Sequence, residues 1–296
     1  MSLVHLPPYR VEATSLTLAP GECDWGVSAY GIPSLWQRHQ GEGVRVGVID
    51  TGVEPDHPGL LGCVKEHRNF TLDESPFDTN GHGTHVAGII AARGSMKGVA
   101  PKAEVISCKV LNHSGAGSID AVARAVEFCV EAKCCIVVMS LGSPIGTDRL
   151  AMVCEKAYRA GVALVCAAGN DGGRVSYPAL YASTIGVGAV DRDGNVCEFS
   201  CRGKEIDVAA PGYQITSCWI GGKYATLSGT SMAAPFVAGV LALAVCECGC
   251  EHVAQNARKI LQQTSSDRGP PGHDTDYGWG LINPSAILDG KCQVIV

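Results

Sequence analysis

Three short segments of this chain hold an aspartate, a histidine and a serine in small-residue surroundings. They are Val48-Ile49-Asp50-Thr51-Gly52, Asn80-Gly81-His82-Gly83-Thr84-His85-Val86-Ala87-Gly88 and Gly229-Thr230-Ser231-Met232-Ala233-Ala234-Pro235. The three side chains have complementary chemistry. A serine hydroxyl is a weak nucleophile until a neighbouring base takes its proton. Histidine titrates near neutrality, so it can accept that proton and later return it to a leaving group. A buried carboxylate holds the imidazole in one tautomer and stabilises the imidazolium. Acyl transfer also needs donors aimed at the developing oxyanion, and Asn170 in Cys166-Ala167-Ala168-Gly169-Asn170 offers a side-chain amide.

Taken singly, each residue has an ordinary reading. An aspartate after a strand forms turns, and a serine before a helix caps it. Taken together and in this order, the three segments resemble the Asp, His and Ser signatures of the subtilisin family, most closely its intracellular members. The resemblance spans Leu35 to Pro284. It implies a serine endopeptidase in which Asp50 orients, His82 is the general base, Ser231 is the nucleophile and Asn170 belongs to the oxyanion hole. His85 corresponds to a structural histidine of the second signature. By the same resemblance, Ser140, Leu141 and Gly142 line one wall of the specificity pocket, and Ala167, Ala168 and Gly169 line the other. Gly115, Ala116 and Gly117 form the edge on which an extended peptide pairs, and Ser176 lies at the pocket floor. A roomy, uncharged pocket is expected, with preference for apolar or aromatic residues before the cut.

The start of the chain, Val4-His5-Leu6-Pro7-Pro8-Tyr9-Arg10, resembles the short N-terminal extension of intracellular subtilisins, with Leu6, Pro8 and Tyr9 matching its core. Residues 1–25 are therefore expected to inhibit the peptidase domain, residues 26–296. The extension would dock as a substrate does, with its scissile carbonyl held away from Ser231. Proteolytic removal of about the first 15–25 residues would open the cleft. The family's best-known calcium site needs an aspartate where this chain has Gly59, and a longer loop than Ala92 to Pro101 provides. That site is expected to be absent; no metal ligand is assigned, and a calcium site elsewhere stays open. Intracellular relatives imply a homodimer by resemblance only.

Positioning such a site calls for rigid elements. Apolar runs at Val44 to Ile49, Val105 to Leu111, Ile136 to Leu141 and Val162 to Ala167 read as buried strands. Helical patterns lie between them, one after a Ser118 cap and one over Leu150 to Ala160, stopped by Gly161. A further helix follows Ser231, with Pro235 expected in its first turn. Alternation of this kind predicts a three-layer α/β/α sandwich around a mostly parallel sheet, with ligands bound beyond the carboxyl ends of the strands. Asp50 falls at such an end.

Composition narrows the partners. With 46% apolar and 18% charged residues and a net charge of −6, the 296-residue chain is globular in character. It has no basic run suited to nucleic acid. The richest apolar stretch, Val237 to Cys246, is too short to cross a bilayer. Protein or peptide substrates are the expected partners, with no nucleic acid and no membrane. Met1 to Arg10 lacks the pattern of a secretory leader, so a cytoplasmic protein is expected. The fifteen cysteines then read as reduced packing residues. Cys246, Cys248 and Cys250 with His252 stay open as a metal-binding alternative. A rival esterase reading fails for want of a Gly-x-Ser-x-Gly elbow around Ser231. A non-catalytic peptide-binding module on the same fold is the rival from another class.

Overall fold

The computed structural model describes residues 3–15 and 21–290. In chain order its elements are β1 (Leu3–His5), β2 (Arg10–Ser15), β3 (Glu22–Cys23), α1 (Trp25–Ala29), α2 (Ile32–Leu35), β4 (Arg45–Asp50) and β5 (Val64–Asn69). Next come α3 (His82–Ala91), β6 (Met96–Lys97), β7 (Glu104–Lys109), β8 (Ala116–Ser118), α4 (Ile119–Glu131), β9 (Ile136–Met139) and α5 (Asp148–Arg159). The chain continues through β10 (Ala163–Ala167), β11 (Ile185–Val190), β12 (Ile206–Pro211), β13 (Ile215–Trp219), β14 (Lys223–Ser228), α6 (Thr230–Cys248), α7 (Cys250–Thr264) and α8 (Pro284–Asp289).

Seven strands form one sheet in the order β12-β11-β10-β9-β4-β7-β5, and every pairing in it is parallel. Both faces are covered, as an all-parallel sheet requires. Side chains alternate along each strand. Val46 and Val48 of β4, with Ile136 and Val138 of β9, face the layer holding α3 and α6. Ile49, Val137 and Met139 face α4 and α5 through Val122, Val126 and Val153. The result is the three-layer α/β/α sandwich expected from the sequence. The chain leaves β4 to build β7 on one side and β9 on the other. Asp50 therefore sits where the strand order reverses, a place where such sheets form clefts.

Helix α4 begins at the Ser118 cap, whose side chain accepts from the Ala121 amide. Thr147 caps α5 in the same way. Helix α6 departs from the sequence expectation in two respects. It starts at Thr230, so Pro235 lies inside the helix and not in its first turn. Proline has no N–H for the carbonyl four residues back, that of Ser231. The Ser140 hydroxyl donates to that carbonyl instead, at 2.9 Å. In addition, the helix runs 19 residues, and its most apolar stretch has a mean hydropathy of 1.8. By length and composition it could cross a bilayer, which corrects the expectation that no stretch could. That stretch is 83% buried inside the molecule, where it packs as the central core helix.

The cysteines divide. Cys108, Cys129 and Cys166 are buried, as packing residues would be. Burial raises the Cys166 thiol well above its ordinary pKa and pushes Cys154 up to about 12. Cys135 departs from the packing role: its sulfur is bonded to Cys250, with the two Cα atoms 5.4 Å apart. The turn from α6 into α7 brings Cys250 back to the start of β9, which is what makes the pair adjacent. Its sulfur is thereby taken from the metal-binding alternative considered for Cys246, Cys248, Cys250 and His252.

Candidate active site

Asp50 ends β4 and is fully buried. Its Oδ1 accepts from the Thr51 amide at 2.7 Å and lies 2.8 Å from His82 Nδ1. An ionised carboxylate can only accept, so Nδ1 carries the proton and Nε2 keeps a lone pair. Nε2 is buried and has no hydrogen-bond partner among the described residues. Behind the aspartate, the buried ammonium of Lys109 donates to the Thr51 carbonyl at 2.9 Å and pairs with Asp73 at 3.3 Å. These contacts fix the end of the strand.

His82 is the first residue of α3, and Gly81 at its cap has no side chain to offer. Asp78 supplies what is missing. Its Oδ1 accepts from Thr51 Oγ1, Asn80 N and Gly81 N, each at 2.9 Å. Its Oδ2 accepts from Thr84 N at 2.9 Å and Thr84 Oγ1 at 2.7 Å. The amide of Gly83 donates to Thr51 Oγ1 at 2.9 Å. Orphan first-turn donors are thus satisfied by a carboxylate, which also complements the helix dipole. Gly83 is required for the approach of helix to strand, because a Cβ there would stand 2.1 Å from the Gly52 carbonyl oxygen. One turn on, His85 is fully buried and its Nε2 reaches the carbonyls of Ala225 and Ile215 at 3.0 and 3.2 Å. Burial, then the nearby His82, lowers its pKa to about 3, so it is a neutral donor. Sequence reasoning missed Asp78; the signal was its position four residues before the histidine, ahead of a glycine that cannot cap.

Ser231 is the second residue of α6 and is fully buried. Its hydroxyl donates to the Ser140 carbonyl at 3.3 Å. Asn170 is held by Thr230, whose amide and hydroxyl donate to Asn170 Oδ1 at 2.8 and 2.7 Å. With Oδ1 so engaged, the Asn170 NH2 group faces the cleft. It donates to the Pro8 carbonyl at 2.9 Å.

The N-terminal segment crosses the whole cleft. Strand β1 pairs antiparallel with β8, Val4 opposite Gly117 and His5 opposite Ala116. His5 and Gly142 exchange both backbone hydrogen bonds, at 3.0 and 2.9 Å, and the Leu6 amide donates to the Gly115 carbonyl at 2.9 Å. The Tyr9 ring lies 5.1 Å from the His82 ring, and its hydroxyl reaches Asn80 Oδ1 at 3.2 Å. Burial first, then Asp50, raises the Tyr9 pKa, so the phenol stays protonated. Strand β2 then adds antiparallel to β14.

Next to this segment lies a cavity of about 980 Å³, bordered by Pro8, Gly142, Gly169, Asn170 and Ser176 among others. Of the residues expected to form the pocket, Gly142, Gly169 and Ser176 reach it, while Gly115, Ala116 and Gly117 carry the paired edge. Ser140, Leu141, Ala167 and Ala168 are buried behind that lining. Just past the ends of β9 and β10, Leu141 and Ala168 turn into the core, and Ser140 is occupied with the Ser231 carbonyl. The cavity is not uncharged as expected: Asp171, Arg174, Lys204 and Glu205 border it. Gly169 holds φ at +119°, and a Cβ there would meet Cys201 Sγ at 2.8 Å.

The chain is similar to known proteins along most of its length. Residues 41–280 match the model of the subtilase family, Peptidase S8. The "Intracellular serine protease" of Paenibacillus polymyxa is 42% identical over 254 residues, covering 81% of this chain and 77% of that protein. "Subtilisin DY" of Bacillus licheniformis is 39% identical over 272 residues, covering 87% and 97%. "Thermitase" of Thermoactinomyces vulgaris is 37% identical over 265 residues, covering 88% and 93%. A buried His–Asp pair, a serine opening a core helix and an oriented amide beside it thus stand in a chain that belongs to the subtilase family and is a subtilisin-type serine endopeptidase.

Proposed function

We propose that Asp50, His82 and Ser231 act as the triad, that Asn170 stabilises the oxyanion, and that the chain is made as a zymogen closed by its own N-terminal segment. The observation that carries the reading is the Asn170 amide donating to a peptide carbonyl, that of Pro8. In turnover, the Ser231 hydroxyl rotates from the Ser140 carbonyl to His82 Nε2, which takes its proton as Oγ bonds to the scissile carbon. The carbonyl π pair moves to oxygen, where Asn170 Nδ2 donates to it. As the intermediate collapses, the C–N bond breaks and His82 returns the proton to the leaving amine. Water, deprotonated by His82, then releases the acyl group and restores Ser231.

In the resting arrangement, Tyr9 covers His82 and Ser231 donates elsewhere, which supports inhibition by residues 3–15. The docking contacts lie in that span. Glu22–Cys23 pairs with Met96–Lys97, and Asp24 caps α1 through the Gly26 amide, so these belong with the body and not with the extension. A preference for apolar or aromatic residues before the cut is supported by Gly142, Gly169 and Ser176 at the cavity. The charged residues at its border set a test for that preference in a peptide library. The resemblance to a relative named as intracellular supports a cytoplasmic enzyme.

The test is casein digestion by the full chain beside its Ser231→Ala variant, with chain length followed by mass spectrometry. Casein cut only by the unmutated chain, with activity rising as its N-terminus shortens, is the expected result. Intact casein after loss of residues 1–15 from a folded chain would overturn the reading in favour of a peptide-binding module.

A further inference from the structure

At the end of α6 opposite Ser231, side chains of metal-ligating type converge where the loop entering β4 meets the helix. His39 Nε2, a Glu42 carboxylate oxygen and Cys246 Sγ all lie within 4.8 Å of one another. Cys246 Sγ is 3.9 Å from Glu42 Oε2. Glu247, next to Cys246, places Oε2 2.7 Å from His39 Nε2. Peptide hydrolysis uses none of these groups. We propose that His39, Glu42 and Cys246 bind a zinc-type divalent cation, with Glu247 turning from His39 to become the fourth ligand.

The donor set decides the class of ion. One imidazole, one thiolate and carboxylates suit a borderline-soft ion such as Zn²⁺, whereas calcium takes oxygen alone. Zinc bonds of about 2.0–2.3 Å in a tetrahedron hold neighbouring donors roughly 3.3–3.8 Å apart. The three groups, which lie within 4.8 Å of one another, therefore need to draw in by about 1.5 Å or less. Their supports are anchored. The His39 amide donates to the Leu35 carbonyl at 3.1 Å, and Glu42 Oε2 accepts from the Gln40 amide at 2.8 Å. Cys246 and Glu247 ride the last turn of α6. Lys102 at 3.2 Å from Glu42 and Arg38 at 3.3 Å from Glu247 offset the excess charge of two carboxylates and a thiolate around a dication. On binding, the Cys246 thiol loses its proton to solvent, and His39 keeps a single proton on Nδ1 so that Nε2 can ligate. His39 and Cys246 are half-buried and Glu42 is exposed, so the ion enters from solvent. Sequence spacing alone had grouped Cys246 with Cys248 and Cys250; the fold groups it with a loop 204 residues away.

The ion would tie the segment leading into β4, which ends at Asp50, to the helix that opens with Ser231. The inference does not depend on catalysis, and its test uses the full chain carrying Ser231→Ala to prevent self-digestion. Cobalt(II) serves as a visible stand-in. One Co²⁺ per chain, with a thiolate-to-metal charge-transfer band displaced by Zn²⁺, is expected, and Zn²⁺ should raise Tm. Cys246→Ser and His39→Asn, folded by circular dichroism, should each abolish the band. Each should weaken Zn²⁺ more than about 10–100-fold, the loss typical of merely disturbing a ligand's partner. Absence of a band in the folded chain, or a band that survives Cys246→Ser, would overturn the site.

Discussion

Helices α3 and α6 both open onto the cleft, one with His82 and the other with Ser231, and both are buried, yet the balance of polar and apolar contacts that holds them differs. Helix α3 has ten residues, and its first turn is fastened by the Asp78 carboxylate, Thr51 and Asn80. Helix α6 has nineteen, from Thr230 to Val245 all buried, and is fastened by apolar packing along its length. Its first turn adds polar braces: Thr230 donates to Asn170, and the Ser140 hydroxyl donates to the carbonyl that Pro235 leaves unpaired. The base must sit against a buried carboxylate, where errors of orientation are costly, and directional hydrogen bonds fix orientation. The nucleophile needs only a stiff platform, because its hydroxyl rotates about a single bond. Damage to the two helices should therefore have different signatures.

The largest expected effect is at the nucleophile. Ser231→Ala should lower turnover by about 10⁵–10⁶-fold while leaving the melting temperature nearly unchanged, read by peptide hydrolysis and calorimetry. Asn170→Ala comes next, with a loss of about 10²–10³-fold carried by kcat and little change in KM.

A paired comparison then separates the two helices. Asp78→Ala strands buried donors around the start of α3, and each such group costs about 1–3 kcal/mol. It should lower stability and kcat together. Leu241→Ala, in the middle of α6, should cost about 2–5 kcal/mol of stability and leave kcat per folded molecule unchanged. Denaturant melts with active-site titration would read both. A Leu241→Ala enzyme that loses kcat as fully as Asp78→Ala would break the distinction.

A pH dependence belonging to α3, confined to acid conditions and absent at neutral pH, comes last. His85 has its pKa lowered to about 3 in the folded chain, below its ordinary 6.5, so its neutral form is favoured by folding. The stability it contributes is complete above pH 6.5 and is lost as pH falls towards 3. The loss between pH 6.5 and pH 4 should be roughly 3 kcal/mol. His85→Gln should flatten that part of the stability profile; an unchanged slope would assign acid lability elsewhere.

Strands β4, β7, β9 and β10 were legible in the sequence because strands buried on both faces are continuous apolar runs. Strand β5, Val64–Asn69, was not, since it lies at the sheet edge and carries Lys65, Glu66 and Arg68. The hairpin of β13 and β14 and the short α8 were missed for want of a strong period. At the site, the residue types of the proposed machinery stood out through their glycine-rich settings. Their supports did not. Ser140 meets the Ser231 carbonyl across 91 residues, and Thr230 meets Asn170 across 60. The Cys135–Cys250 bond spans 115. Contacts of that range follow from the strand order, which no local spacing encodes. Pro235 was misplaced for the same reason: the Ser231 carbonyl that it leaves without a helical donor is satisfied by Ser140, just past the end of β9.

The central claim is that the N-terminal segment closes a working site built on Ser231. Its most direct test is the rate at which a fluorophosphonate labels the full chain and a chain lacking residues 1–15, with the modified residue mapped by mass spectrometry. Labelling at Ser231 in both, markedly faster in the shortened chain, is what the account predicts. Equal rates would contradict closure by the segment, and a folded shortened chain that takes no label at Ser231 would contradict the site itself.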